Sequence, residues 1–297
     1  MLVELAVGDA YGAGFEYAPA DFVRRGNTLA RYVQHPTHSD VGPGRYTDDT
    51  QMSIAVAEWL LDGTAPDAEP GALAREDLAE RFVRAYKRDE RAGYASGFRS
   101  VLDRVWTGAE LLESLRPGSD KSGAAMRAGV LGLLPDLGQV AELTRIQARI
   151  THDSPGGVGA ALGAAFTVHY CRYGLGPLDE LPRWLDRNVA AADPARYGRW
   201  TETWRGKVGS PGMHSARAAV TSLVANRTMS GLLKACTAWT GDVDTVATIA
   251  LAAASVSGEY EDDLPKALLD GLEDGPYGRT YLSELDARLD ERWGLRA

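Results

Sequence analysis

Apolar residues recur at three- and four-residue steps along most of this chain. Over Leu78–Tyr86, positions 78, 82, 85 and 86 fall on one helical face. The pattern predicts helices over 48–61, 74–90 and 98–115, another opening at Ala124, and another over 138–150. A strongly apolar helix then reaches about 172, and helical periodicity continues from His214 to Ala238 and again after Thr245. Stretches with period-two alternation and β-branched residues are almost absent, so the chain is expected to be all-α. Residues 17–46, with Pro19, Pro36 and Pro43, read as a long loop. A loop of that length inside a compact domain is usually functional. Residues 62–73 read as a Gly/Pro/Asp linker. Residues 173–212, with Trp184, Trp200 and Trp204, read as an irregular cover over the core. The tail from Glu259 is charged and expected to be helical in part. With no internal repeat and no clear boundary, residues 1–297 are expected to form a single domain.

Composition narrows the picture. With 44% hydrophobic residues in 297, a sizeable core is available. A formal charge of −9 disfavours a general nucleic-acid surface, and nucleic acid as a partner with it. Cys171 and Cys236 sit in apolar helical contexts, which favours buried thiols over a disulfide or a metal site. No run of 18 apolar residues and no signal peptide is visible. The expectation is a soluble, cytoplasmic monomer with no membrane partner.

Two acidic clusters stand out. Tyr46-Thr47-Asp48-Asp49-Thr50 runs into one helix, and Gly241-Asp242-Val243-Asp244-Thr245 into another, about 200 residues later. Asp and Thr are good N-caps, Asp48 with Gln51 resembles a capping box, and negative charge suits a helix N-terminus. One cap, however, needs one acid, and here two acids recur beside threonine at both ends of the chain. Four aspartates held close would not all stay ionised without cations. Two divalent ions would balance them, and an oxygen-only set favours Mg²⁺ or Mn²⁺. Such a site polarises a hydroxyl or phosphate and activates a bound water. Spacing alone leaves both readings open.

The chain resembles the ADP-ribosylglycohydrolase family, and the matches run in order along nearly its whole length. Gly8-Asp9-Ala10-Tyr11-Gly12 through Glu16 is similar to the family's N-terminal motif. Tyr46–Thr50 is similar to its most specific signature and Ser122-Gly123-Ala124-Ala125-Met126-Arg127 to its phosphate loop. Thr151-His152 and Gly241–Thr245 are similar to two further elements, and Leu264-Pro265 falls where the family carries Ile-Pro. The resemblance implies a compact all-α fold with a dinuclear site for two Mg²⁺ or Mn²⁺. Its ligands would be Thr47, Asp48, Asp49, Asp242, Asp244 and Thr245, with Glu16 on a loop over the metals. It implies hydrolysis of the bond between C1″ of ADP-ribose and an acceptor, with an ADP-ribosylated protein as the expected substrate. Glu16 and Asp49 are the candidate catalytic bases, and Lys121, Ser122, Gly123, Met126 and His152 the substrate-binding set.

There are departures. Lys121-Ser122-Gly123 stands where the family reads Gly-Asn-Gly, Val130 where a proline is usual, and Thr240 where a glycine is usual. His35 and His38 receive no role, and His169 and His214 are expected to be structural. Two other readings compete. An all-α metal phosphohydrolase of the HD type would use His152-Asp153, but its nearest upstream histidine is His38 and both acidic clusters go unused. A catalytically inactive ADP-ribose binder would be expected to lose metal ligands, and all six positions retain Asp or Thr.

Overall fold

A computed structural model describes residues 1–64, 73–193 and 198–294. Among them there are fifteen α-helices, two short 3₁₀ helices and no β-strand, only isolated bridges. The all-α expectation holds.

Helix Val243–Ala254 is the axis of the fold, and each of its residues is buried. Its alanines keep it thin, so several helices reach it at once: Leu2–Ala13, Gly212–Ala225, Met229–Ala238 and Pro155–Arg172. Leu2–Ala13 packs most extensively. Gly8 and Gly12 make that possible, because a Cβ on Gly8 would meet the backbone of Ala247 and one on Gly12 the backbone of Asp244. The tightest crossing of the two helices therefore falls beside an acid. On the outer side, Trp200 fills a notch over Gly163, where any side chain would overlap the indole.

Four expectations change. The stretch 98–115 is two helices, Ser96–Leu102 and Gly108–Ser114, rather than one. Thr107 and Glu110 form a reciprocal capping box that restarts the chain there, and Gly108 lies against the backbone of Glu80. The stretch from His214 to Ala238 is also two helices. The second begins at Met229 with Thr228 accepting a cap bond from the Gly231 amide at 3.1 Å. The cover at 173–212 contains a regular helix, Leu181–Ala192, and contributes Trp200 to the core at 4% exposure. The long loop holds a short helix, Ala20–Gly26. Helices Asp48–Gly63, Arg75–Arg88, Leu137–Arg149 and Pro155–Arg172 lie where periodicity predicts. Positions 65–72 of the expected linker, 194–197 of the cover and 295–297 of the tail lie outside the described residues.

Candidate functional site

Two helix N-termini meet at the site, and in neither are the acids spent on capping. Thr47 is the N-cap of helix Asp48–Gly63 and makes no side-chain cap bond. Gln51 is not part of a capping box. Its amide donates to the Ala85 carbonyl at 2.9 Å, and its oxygen accepts from the Tyr94 hydroxyl at 2.6 Å. At the other helix Asp242 is itself the N-cap, again without a cap bond. Its carboxylate instead accepts from Ser215 Oγ at 2.6 Å. The capping-box expectation is thus corrected: the carboxylates are left free to face one another.

They do so across one cavity of about 640 Å³, which Glu16, Asp48, Asp49, Asp242, Asp244 and Thr245 all line. Carboxylate oxygens of Glu16, Asp242 and Asp244 lie within 4.8 Å of one another. Asp49, Asp242 and Asp244 are buried, and Glu16 and Asp48 are half-buried. Burial raises the carboxyl pKa of all five, and for most of them the neighbouring acids raise it further. Glu16 rises to about 8, through burial first and then Asp242 and Asp9. Oδ2 of Asp49 and Oδ1 of Asp244 are buried without any hydrogen-bond partner. Buried carboxylate oxygens with no donor, packed among other carboxylates, require protons or cations. An all-oxygen set of this kind suits a hard divalent ion.

Asp9 organises one wall. It is fully buried on helix Leu2–Ala13 and accepts from the Thr47 amide (2.9 Å), Thr47 Oγ1 (2.8 Å), the Thr50 amide (2.9 Å) and Thr50 Oγ1 (2.6 Å). Thr47 therefore turns its hydroxyl to Asp9, and it does not line the cavity with the acids. Gly93, at φ +99°, lies directly against the Asp48 carboxylate, and the Ala92 carbonyl accepts the Asp48 amide at 3.1 Å.

The other half of the cavity is lined by Lys121, Ser122, Gly123, Met126, Arg127 and His152, and beyond them by Phe98, Val101 and Leu115. The Lys121 segment is held by a bridge to Pro211 and by the Gly212 amide donating to the Asp120 carbonyl at 2.8 Å. His152 abuts Gly123, where a Cβ would strike its ring. Arg127 is fully buried and donates from Nη2 to Thr151 Oγ1 at 2.8 Å, while that oxygen lies 2.6 Å from His152 Nδ1. Guanidinium only donates, so Arg127 takes one lone pair of the threonine hydroxyl and leaves its proton free for Nδ1, an arrangement that matches the His152 tautomer with its ring proton on Nε2. Burial, Arg127 and Lys121 push the His152 pKa down to about 3, so the ring is neutral. Burial likewise lowers Arg127 to about 9.

All the sequence-predicted site residues except Thr47 thus line one cavity. Asp9 and Arg127 stand within the matched motifs but received no role from the sequence, and Ser215 was not singled out at all. A lone acid inside the apolar run Leu5–Tyr11 was a signal for Asp9. Nothing in the local sequence marks Ser215. The dipeptide His152-Asp153 does not act as a pair, because Asp153 is exposed and lies 3.4 Å from Arg149. His169 is structural as expected, its Nδ1 lying 3.0 Å from the Leu134 carbonyl. Cys171 and Cys236 are buried free thiols, each raised to about 12 by burial.

The chain is 28% identical to an uncharacterized protein of Archaeoglobus fulgidus over 98% of this chain and 94% of that one. It is 30% identical to mouse ADP-ribosylhydrolase ARH3 over 57% of this chain and 47% of that one. It is 33% identical to the ADP-ribosyl-[dinitrogen reductase] glycohydrolase of Rhodospirillum rubrum over 58% and 56%. The match thus spans about half the length of these two named relatives. A solved structure titled ADP-ribosylglycohydrolase-related protein complex superposes with a TM-score of 0.67 at 21% identity, covering 98% of this chain and 95% of that one. The ADP-ribosylglycohydrolase family model matches residues 1–296, and the chain belongs to that family.

Proposed function

We propose that this protein is a divalent-metal-dependent hydrolase that cleaves the glycosidic bond between ADP-ribose and a protein side chain, acting as a cytoplasmic monomer. Family membership supports glycohydrolase chemistry on ADP-ribose conjugates. The observation that carries the metal dependence is the set of converging carboxylates, two of whose buried oxygens have no partner. Asp48, Asp49, Asp242, Asp244 and Thr245, which line the cavity, would hold two Mg²⁺ or Mn²⁺ ions, with Glu16 above them. Bound there, such ions supply the positive charge that keeps the acids ionised and polarise the distal-ribose hydroxyls and a water.

The remaining steps belong to the chain. The carboxylates face C1″ and stabilise the positive charge that develops as the bond to the acceptor breaks. Glu16 or Asp49 takes the proton of the attacking water. Lys121, Ser122, Gly123 and Met126 line the path of the pyrophosphate, where His152 offers a neutral N–H rather than a charge. Phe98, Val101 and Leu115 give the adenine an apolar end. A cavity of about 640 Å³ is of a size that encloses a small-molecule ligand.

The test is a panel of ADP-ribosylated arginine, serine and other side-chain substrates incubated with Mg²⁺, with and without EDTA. Release of ADP-ribose should require the metal and fall by at least 10²-fold in Asp48→Ala/Asp244→Ala. Release that persists in EDTA, or full activity in the double variant, sinks the metal reading. Tight ADP-ribose binding with no turnover of any acceptor would instead identify a binder.

A further inference from the structure

The peptide group joining Glu16 to Tyr17 is held at both ends by different parts of the fold. Its N–H, on Tyr17, donates to the Gly241 carbonyl at 2.8 Å, which ties it to the second acidic cluster. Its C=O, on Glu16, lies 2.7 Å from His35 Nε2 on the long loop. The backbone between these anchors is unusual, because Tyr17 has φ +50°, a left-handed conformation rare for an aromatic residue. Such a conformation persists only where surrounding contacts over-determine it.

The geometry also fixes the ring state of His35. Nδ1 lies 2.9 Å from the His38 amide and 3.1 Å from the Thr37 amide, and a backbone amide only donates. Nδ1 must therefore be the bare nitrogen. The proton is on Nε2 and is donated to the Glu16 carbonyl. The ring is 5% exposed, with His38 tilted over it at a centroid distance of 4.5 Å. At the neighbouring turn, Gly14 allows the end of helix Leu2–Ala13 to approach Val33 closely.

From this arrangement we infer that His35 is a positioning residue: its Nε2–H holds the Glu16–Tyr17 peptide and thereby fixes the Glu16 carboxylate beside Asp242 and Asp244. It touches neither substrate nor reacting atoms. The loop over 27–46 is on this account a support for the acid at the mouth of the site as well as a cover. The inference rests on the reading of Glu16 as part of a metal-binding acid set.

Two variants separate the donor from the space the ring fills. His35→Phe keeps a ring and removes both nitrogens, whereas His35→Gln keeps an N–H near the Nε2 position. Calorimetry of Mn²⁺ binding to the full chain should show His35→Phe weakened by about 10-fold, the scale of losing an outer-shell hydrogen bond, and His35→Gln within about 3-fold of the parent. Hydrogen exchange at the Tyr17 amide should accelerate in the Phe variant and return toward the parent in the Gln variant. Phe binding Mn²⁺ like the parent overturns the inference, as does Gln binding as weakly as Phe. If His35→Phe does not fold, ¹⁵N NMR of the parent chain decides: a proton on Nε2 supports the contact, and one on Nδ1 overturns it. A parent chain that binds no Mn²⁺ sinks the metal reading, and the ring tautomer and Tyr17 exchange then decide the His35 contact by themselves.

Discussion

Thr240 carries a strain that its neighbour does not. It stands at φ +61°, and Gly241 follows at +91°. Together they turn the chain so that the Thr240 carbonyl accepts from the Val208 amide at 3.0 Å and the Asp242 amide donates to the Val208 carbonyl at 3.2 Å. Glycine is at ease in this region and a β-branched residue is not. Thr240→Gly is therefore expected to stabilise the chain by about 1 kcal/mol, net of the greater freedom glycine has when unfolded. Thermal melting should show a rise of about 2–4 °C, and a fall would sink the strain argument. His152 gives a second expectation at this scale. Its folded pKa of about 3 lies below the usual histidine value of 6.5, so the neutral ring is favoured by folding. That contribution is fully present above pH 6.5 and is lost as pH falls from there toward 3. In NMR the His152 ring should not titrate between pH 5 and 8, and a midpoint near 6.5 would contradict its burial beside Arg127.

Between elements, Asp9 is the tie. One carboxylate on helix Leu2–Ala13 receives both amides and both hydroxyls of Thr47 and Thr50 at the start of helix Asp48–Gly63. Asp9→Ala leaves four buried donors without an acceptor, at about 1–3 kcal/mol each when taken singly. The combined loss is expected to exceed about 3 kcal/mol in urea unfolding, with faster exchange at the Thr50 amide. Unchanged stability would mean the first turn of the helix is held by packing alone. Much of this arrangement was legible beforehand. The 3.6-residue period located helix Asp48–Gly63, and the paired acids marked both ends of the site. Periodicity ran through 98–115 because it does not register a cap: the side chains of Thr107 and Glu110 stop and restart the helix without disturbing the apolar spacing. The capping reading of Asp48 and Gln51 failed for the converse reason. Residue types that suit a cap had long-range partners, Tyr94 and Ala85 for Gln51, which no local pattern reveals. His35 was illegible on the same grounds, since its significance lies in a contact with Glu16 across 19 positions of sequence.

At the scale of the molecule, the packing of Leu2–Ala13, Asp48–Gly63 and Val243–Ala254 concentrates acid at one point. A net charge of −9 on the whole chain is modest; the local density is what matters. Glu16, Asp48, Asp49, Asp242 and Asp244 all have folded pKa values raised by burial, Glu16 to about 8. A carboxyl with a raised folded pKa binds more protons when folded than when unfolded between its two pKa values. Stability therefore falls as pH rises through that window, from about 4.3, the ordinary glutamate value, to about 8 for Glu16. The metal-free chain should melt at a lower temperature at pH 8 than at pH 5.5. A divalent ion that binds only the folded state reverses this. At 100 times its Kd it adds about 2.7 kcal/mol, which corresponds to a rise of roughly 5–10 °C. That rise should be larger at pH 8, where the ion meets carboxylates, than at pH 5.5, where it must displace protons. Melting curves at the two pH values, with EDTA or with Mn²⁺, measure both effects. A metal-free chain more stable at pH 8 would show that the acids are neutralised by something other than protons. A Mn²⁺ effect equal at both pH values would mean that the ion binds elsewhere.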